Sequence, residues 1–405
     1  MHLLSLFNSC EIEGEYVNGR IIFNELNGLA RTDKSFRERR NEEHHVSCNA
    51  GFGGTVSSLE EVPQIDMVKD FILDPMHLLY LGVFRRLLCF WIKKGPLACR
   101  LSSAAVSQID RRTLKLSPFF PKCFSRKPRA LKYLAQFKAT EYRTFLLYAG
   151  PIVFQDIVSP ANFSLYMLLH VASFILSHRQ CLKFLPLAQR LLRDFVISSK
   201  CNHTCGSHFT TYNVHSILHM ADDVEYLSLP LDSISAFSFE NFFVRLKHAI
   251  KSPHLPHEQV INSVKRGFLK PVSSANCAYV YKKCSNIRSR NFPQKPHFCS
   301  LTYKDDLYSI AFNDSFILTD CNKLFQIAYI VQSDYPILVC KDINNLMQNL
   351  YDLPIPSSYL GIFKVSINAV LEYHSDLIAI DFRNVKGKYI CLPTNCDEYF
   401  ALFPL

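Results

Sequence analysis

The chain lacks the marks of a secreted or membrane protein. Its 15 cysteines are odd in number and follow no framework spacing. The opening Met1-His-Leu-Leu-Ser-Leu-Phe7 has neither a basic region nor a full apolar stretch. A disulfide scaffold is thereby excluded, and reduced thiols in an intracellular protein are expected. The most apolar region, residues 163–176, is interrupted by Ser164, His170 and Ser173. It is shorter than the roughly 20 residues of a membrane span, so a buried core helix is predicted and no membrane partner. Gly51-Phe-Gly-Gly54 lacks the Lys-Ser/Thr that follows a phosphate cradle and reads as a turn. Zinc is not expected. Cys201-Asn-His-Thr-Cys-Gly-Ser-His208 spaces its ligand types as C-x-H-x-C-x-x-H, tighter than standard fingers, and reads as a loop. His215 and His219 share a helix face without the Glu of a His-Glu-x-x-His site and read as a packed pair. From Lys265 to Lys304 no acid occurs, while nine Lys/Arg do.

What is present suits a folded protein of two domains: 405 residues, 48% hydrophobic and 20% charged, with a formal charge of +10 that allows an anionic partner. The chain is organised around Asp70-Phe-Ile-Leu-Asp-Pro-Met-His77 and the apolar stretch that follows through Trp91. Phe71-Ile72-Leu73 reads as a short strand, Asp74 as an acid at its end, and Pro75 as the first residue of a helix. Met76, Leu79, Tyr80, Val83 and Leu87 fall at helical spacing. The plain reading of Asp74 is a helix cap. The sharper reading is a functional carboxylate whose substitution by Ala would leave folding intact.

Helices are predicted at 76–94, 101–114, 128–136, 140–157, 161–178, 181–198 and 212–225. Between Asp110 and Arg143 ten Lys/Arg stand against two acids, interleaved with Phe119, Phe120, Phe124, Tyr133 and Phe137. Such mixing suits either a phosphate-binding surface with stacking platforms or a helical face with a buried aromatic side. The cations in question are Arg111, Arg112, Lys122, Arg126, Lys127 and Arg129, with Lys265, Arg266, Lys282 and Lys283 in the acid-free run. A later helix over 233–250 is expected to bury Phe239, Phe242, Phe243, Leu246 and Ile250, with Glu240 at its edge. Beyond 298 short β-type runs appear at 307–312, 315–318, 324–331, 337–340, 360–367, 377–381 and 389–392. They predict a small sandwich or barrel-like domain.

Several segments together resemble the transposase domain of CACTA-type (En/Spm-like) DNA transposons, in an N-terminally truncated invertebrate form. They are Gly14-Glu-Tyr-Val-Asn-Gly-Arg-Ile-Ile-Phe23, Arg31-Thr-Asp-Lys-Ser-Phe36 with His44 and His45, and Leu73-Asp-Pro-Met-His-Leu-Leu-Tyr-Leu-Gly82. Val214-His-Ser-Ile-Leu-His-Met-Ala-Asp-Asp-Val224, Ser235-Ala-Phe-Ser-Phe-Glu-Asn241 and Pro354-Ile-Pro-Ser-Ser-Tyr-Leu-Gly-Ile-Phe363 complete the set. The resemblance implies an α+β protein. An incomplete RNase H-like core with a large helical insertion (residues 76–212) is followed by a small β-rich C-terminal domain. The implied domains are a remnant N-terminal segment at 1–60, the core at 61–264, a basic linker at 265–297 and the β domain at 298–405. By resemblance Asp74 is the second and Glu240 the last of three acids that hold Mg²⁺, with His77 facing the same pocket. Two such ions clamp the attacking and leaving oxygens of a phosphoryl displacement. The two carboxylates are expected to converge. The first acid would lie upstream of Gly14, where only 13 residues stand, and Phe7 replaces one Cys of a family Cys-x-x-Cys whose other member is Cys10. Glu11, Glu13 and Glu15 are the substitutes at hand. The expectation is a catalytically inactive, DNA-binding, nuclear protein, with self-association open. The alternatives are an active Mg²⁺-dependent transposase or nuclease supplied with its missing acid by a longer product, and a scaffold binding protein through its β domain.

Overall fold

A computed structural model describes residues 10–11, 14–17, 19–40, 58–267, 279–283, 296–304, 306–344, 347–371, 377–396 and 398–405. Phe7, Glu13, His44, His45 and the turn expected at 51–54 lie outside the described residues, as does most of the expected basic linker. The protein is α+β, with a helical N-terminal region and a C-terminal antiparallel sheet. It forms two compact units, residues 1–105 with 158–236 and residues 106–157 with 237–405.

The first unit is mainly helical. At its start β1 (Cys10–Glu11) pairs with β4 (Leu29–Ala30), and β2 (Glu15–Val17) pairs with β3 (Arg20–Ile22). The turn between β2 and β3 carries Gly19 at φ +80°, a conformation that favours glycine. Residue 22 also bridges Thr211, and the Phe23 N–H donates to the Thr210 carbonyl at 2.8 Å. Helix Asp33–Arg37 opens with a capping box between Thr32 and Ser35. Its Arg37 reaches the carbonyls of Glu60 and Ile65, which ties the following loop down.

The predicted helix over 76–94 is present, wound largely in wide π-type turns; the Arg85 N–H bonds back to the Tyr80 carbonyl, five residues away. Its expected apolar positions are buried, and so are Leu78, Phe84, Leu88 and Trp91, so it is covered nearly all round. Helix Pro160–Ser177 is long and apolar enough to cross a membrane, but 72% of it is buried within the fold, where it packs on Leu185–Ser199. Ser159 caps it and Pro160 begins it, the residue types that helix starts favour. The Arg86 guanidinium donates to the carbonyls of His208 and Phe209 and lies over the rings of Phe90 and Phe209.

One expectation fails here. Phe71-Ile72-Leu73 forms no strand. The Leu73 N–H donates at 2.8 Å to the side chain of Asp223, on helix Met220–Leu227, rather than to a ladder. Asp74 therefore does not stand at the rim of a sheet.

The second unit joins a helical segment to the sheet. The strands are β5 (Val280–Lys283), β6 (His297–Tyr303), β7 (Asp306–Ser309), β8 (Phe316–Thr319), β9 (Leu324–Val331), β10 (Ile337–Asp342), β11 (Gln348–Asn349), β12 (Phe363–Ser366), β13 (Ile378–Asp381), β14 (Val385–Pro393) and β15 (Tyr399–Pro404). They form one 11-stranded antiparallel sheet whose main order is β11-β12-β15-β14-β8-β9-β10-β13. Opposite β10, β9 pairs with β8 through Leu324–Gln326 and with β6 through Ile330 and Val331, which branches the sheet. Both faces are covered: Ile317 belongs to one apolar cluster, while its neighbours Phe316 and Leu318 belong to another.

The expected boundaries are drawn differently by the fold. Residues 106–157, read as part of one insertion with 76–212, pack on the sheet. Phe119 meets Phe312 and Phe400 at 5.6 and 6.2 Å, and Tyr148 meets Phe403 at 6.1 Å. Asn395 donates to the Ile152 carbonyl at 2.6 Å. The expected linker supplies β5.

Candidate functional site

Asp74 sits where the chain enters helix 76–94. Pro75 already has helical backbone angles, φ −64° and ψ −28°, and the Asp74 carbonyl accepts the first helical bond, from Leu78 at 2.9 Å. One carboxylate oxygen accepts from the N–H of Met76 (3.2 Å) and of Ala236 (2.8 Å). The other accepts from the N–H of His77 (3.0 Å) and meets its ring Nδ1 at 2.5 Å, which orients the His77 ring. The plain expectation, a helix cap, is what the geometry displays. The bond to Ala236 adds something spacing along the chain cannot reveal: two segments 162 residues apart meet at one side chain.

The Mg²⁺ ions implied by the resemblance need carboxylate oxygens with open lone pairs. A carboxylate offers about four lone-pair sites, and four hydrogen bonds within the chain use those of Asp74. Asp74 does not fit such an ion in this arrangement. Glu240 lies exposed in the first turn of helix Phe237–Ala249, in the second unit.

Asp223, within 214–224, carries no sequence signal of a special role. Burial pushes its carboxyl up to about 6 against the opposing bond from the Leu73 N–H, with Asp222 adding to the rise. Nearby, Tyr226 donates to Asp70 at 3.3 Å. Stretch 70–74 is thus held to helix Met220–Leu227 by acids in both directions. The paired histidines pack as expected. Their rings lie 5.6 Å apart, and His215 also faces Phe23 at 5.8 Å. Burial, with the charges of His219 and Lys200, pushes the His215 imidazole down to about 4. In the 201–208 segment the buried Cys205 thiol is hydrogen-bonded with that of Cys99, and among the described residues it is not grouped with His203 or His208 as a metal site. None of the cysteines whose side chains are described is in a disulfide.

The expected nucleic-acid contacts all fall in the second unit. Arg111, Lys122, Arg126, Lys127, Lys265, Arg266, Lys282 and Lys283 are exposed. Two of the set are committed elsewhere. Arg112 donates to the Gln155 carbonyl, and Arg129 forms a bidentate pair with Glu141 at 2.6 and 2.9 Å. Lys282 and Lys283 stand on β5, whose one strand partner among the described residues is β6. Of the interleaved aromatics, Phe120 and Phe137 are buried and Phe119 and Phe124 half-buried, leaving Tyr133 exposed. The buried-aromatic alternative holds there. The reverse occurs on helix Phe237–Ala249, where Phe239, Phe242 and Phe243, expected inside, are 65%, 45% and 61% exposed.

Residues 282–405 match a family described as a domain of unknown function (DUF8592). No curated protein and no solved structure matches the chain. The matched region begins within β5 and runs through β15, so it covers most of the sheet.

Proposed function

We propose that this chain is a transposase-derived, RNase H-like protein that binds DNA and carries out no strand transfer by itself. The observation that carries the binding half is the set of exposed cations gathered in one unit: Arg111, Lys122, Arg126, Lys127, Lys265, Arg266, Lys282 and Lys283. Phosphate neutralisation by such side chains supplies most non-specific affinity for nucleic acid. The Asp74 geometry supports the second half. A carboxylate saturated by one helix start and by Ala236 acts as a structural anchor, while keeping the two segments of the resemblance in register. A nuclear location follows from the DNA partner.

The test is fluorescence anisotropy with a labelled duplex over a range of salt. Affinity is expected to fall steeply as salt rises. It should fall again in Lys122→Glu/Lys127→Glu and in the fourfold change of Lys265, Arg266, Lys282 and Lys283 to Glu. Affinity that ignores both salt and charge reversal rejects the DNA reading. Metal-dependent joining of end-labelled DNA by the purified chain rejects the claim of inactivity.

A further inference from the structure

Helices Phe237–Ala249 and Pro256–Lys265 form a hairpin with a cleft of about 670 Å³ between them. Its walls include Arg245, His248, Lys251 and Arg266, together with the donors Asn262 and Ser263, and no carboxylate lines it among the described residues. On the second helix Gln259, Asn262, Ser263 and Arg266 recur at i, i+3, i+4 and i+7, so one face of that helix turns to the cleft. The loop closing the hairpin is braced by Gln259. Its side-chain oxygen accepts from the N–H of Lys251 (2.7 Å) and Ser252 (3.3 Å), and its nitrogen donates to the carbonyls of Ser252 (3.0 Å) and His254 (2.6 Å). Leu255, at φ +45°, completes that bend. The cations therefore border a cleft whose closing loop is already ordered.

Three exposed phenylalanines stand on the same hairpin. Phe242 lies one turn before Arg245 on the stripe that continues to Ala249, and Phe239 and Phe243 form the adjoining stripe at i, i+4 spacing. Exposed aromatic rings beside a basic cleft are the two parts of a single-strand site: bases stack on the rings while cations follow the backbone. Duplex DNA hides its base faces and has no use for the rings. Glu240 and Glu258 stand on the two helices, but the described residues that line the cleft beside the rings carry Arg245, His248, Lys251 and Arg266, a rim that favours an anionic occupant over a neutral protein face.

We infer that the 237–266 hairpin is a binding site for single-stranded nucleic acid. The inference rests on the nucleic-acid reading above and adds where the strand binds and in which form. The test compares anisotropy of a labelled oligo-dT and of a duplex of equal length with the full chain. Wild type should bind the single strand more tightly. Phe242→Ala/Phe243→Ala should weaken that binding about tenfold, in line with the loss of a stacked base, and leave the duplex unchanged. Lys251→Glu/Arg266→Glu should weaken the single strand by a similar factor, while Lys122→Glu/Lys127→Glu retains the single-strand preference. As a check that needs no variant, a bromouracil-substituted strand should photo-crosslink to wild-type peptides spanning 237–266. Equal affinity for both forms, unchanged binding in the hairpin variants, crosslinks confined elsewhere, or a dimer abolished by Phe242→Ala/Phe243→Ala without loss of strand binding each overturns the inference and leaves DNA binding standing. Absence of binding to either form overturns both.

Discussion

At Asp74 one carboxylate satisfies a helix start, orients His77 and holds Ala236. Removing it strips a cap, worth about 1 kcal/mol, and leaves further donors unmet at about 1–3 kcal/mol each. Asp74→Ala is therefore expected to lower stability by about 2–4 kcal/mol, contrary to the expectation that folding would be untouched. Asp74→Asn, which can still cap, should lose less. Urea unfolding reads both, and equal midpoints for Asp74→Ala and wild type would reject the anchoring role. Asp223 and His215 make a second case. The Asp223 carboxyl is raised from 3.8 to about 6 by burial. Its contribution to stability is therefore complete below pH 3.8 and is lost as pH rises through about 6. The His215 imidazole is lowered from 6.5 to about 4, so its contribution is present above pH 6.5 and is lost as pH falls through about 4. The two slopes oppose each other where the windows overlap. Asp223→Asn should unmask the His215 slope, and its stability should drop more steeply on acidification than that of wild type. Parallel pH profiles for the two proteins would contradict this.

Among the elements, burial decides which charges are surface and which are structure. Arg129 reads in the sequence as one more cation of a basic run. Its partner Glu141 is fully buried and also accepts the Lys138 N–H, so the pair fastens the entry to helix Ala139–Thr144. In the sheet, Lys388 on β14 reaches Asp314 at 3.0 Å and the Leu307 carbonyl at 2.6 Å, with both side chains almost wholly covered. Taking one partner from a buried pair leaves the other charge uncompensated, at a cost of about 3–5 kcal/mol. Asp314→Ala is expected to destabilise on that scale, and Arg129→Ala, whose guanidinium is partly in water, by less, as read by thermal or urea unfolding. A loss within the range of exposed pairs, below about 1 kcal/mol, would show that water reaches the remaining charge. Helix 76–94 was legible because its apolar positions are dense and periodic. Phe71-Ile72-Leu73 was not, since three apolar residues fit a strand or a buried loop equally well. Strand β5 resembles linker in the sequence because its lysines fall in the acid-free run, and only its pairing with β6 makes it a strand.

For the whole molecule, the division into two units places the exposed cations and the hairpin in the same unit as the sheet. The DNA-binding prediction belongs at this scale, because it depends on summed charge rather than on one contact. Charge reversal at Lys122 and Lys127 should reduce the salt dependence of duplex binding as well as its strength. An unchanged salt slope, read from the same titrations, would remove that surface from the interface. Segment 106–157 crosses from an expected helical insertion to the sheet because Phe119 and Tyr148 find aromatic partners there. Those partners lie far along the chain, where no local pattern points to them.

Composition and periodicity by themselves determined the α+β class, the apolar helices at 76–94 and 160–177, most strands beyond 306 and the surplus of positive charge. These are local properties, carried by side-chain spacing within a few turns or one strand. The tertiary structure decided what lies against each apolar stripe. It buried the rings of 119–137, exposed those of 239–243, and gave Asp74 four donors of which one comes from Ala236. Periodicity states that a face is apolar; only packing between distant segments determines whether anything covers it.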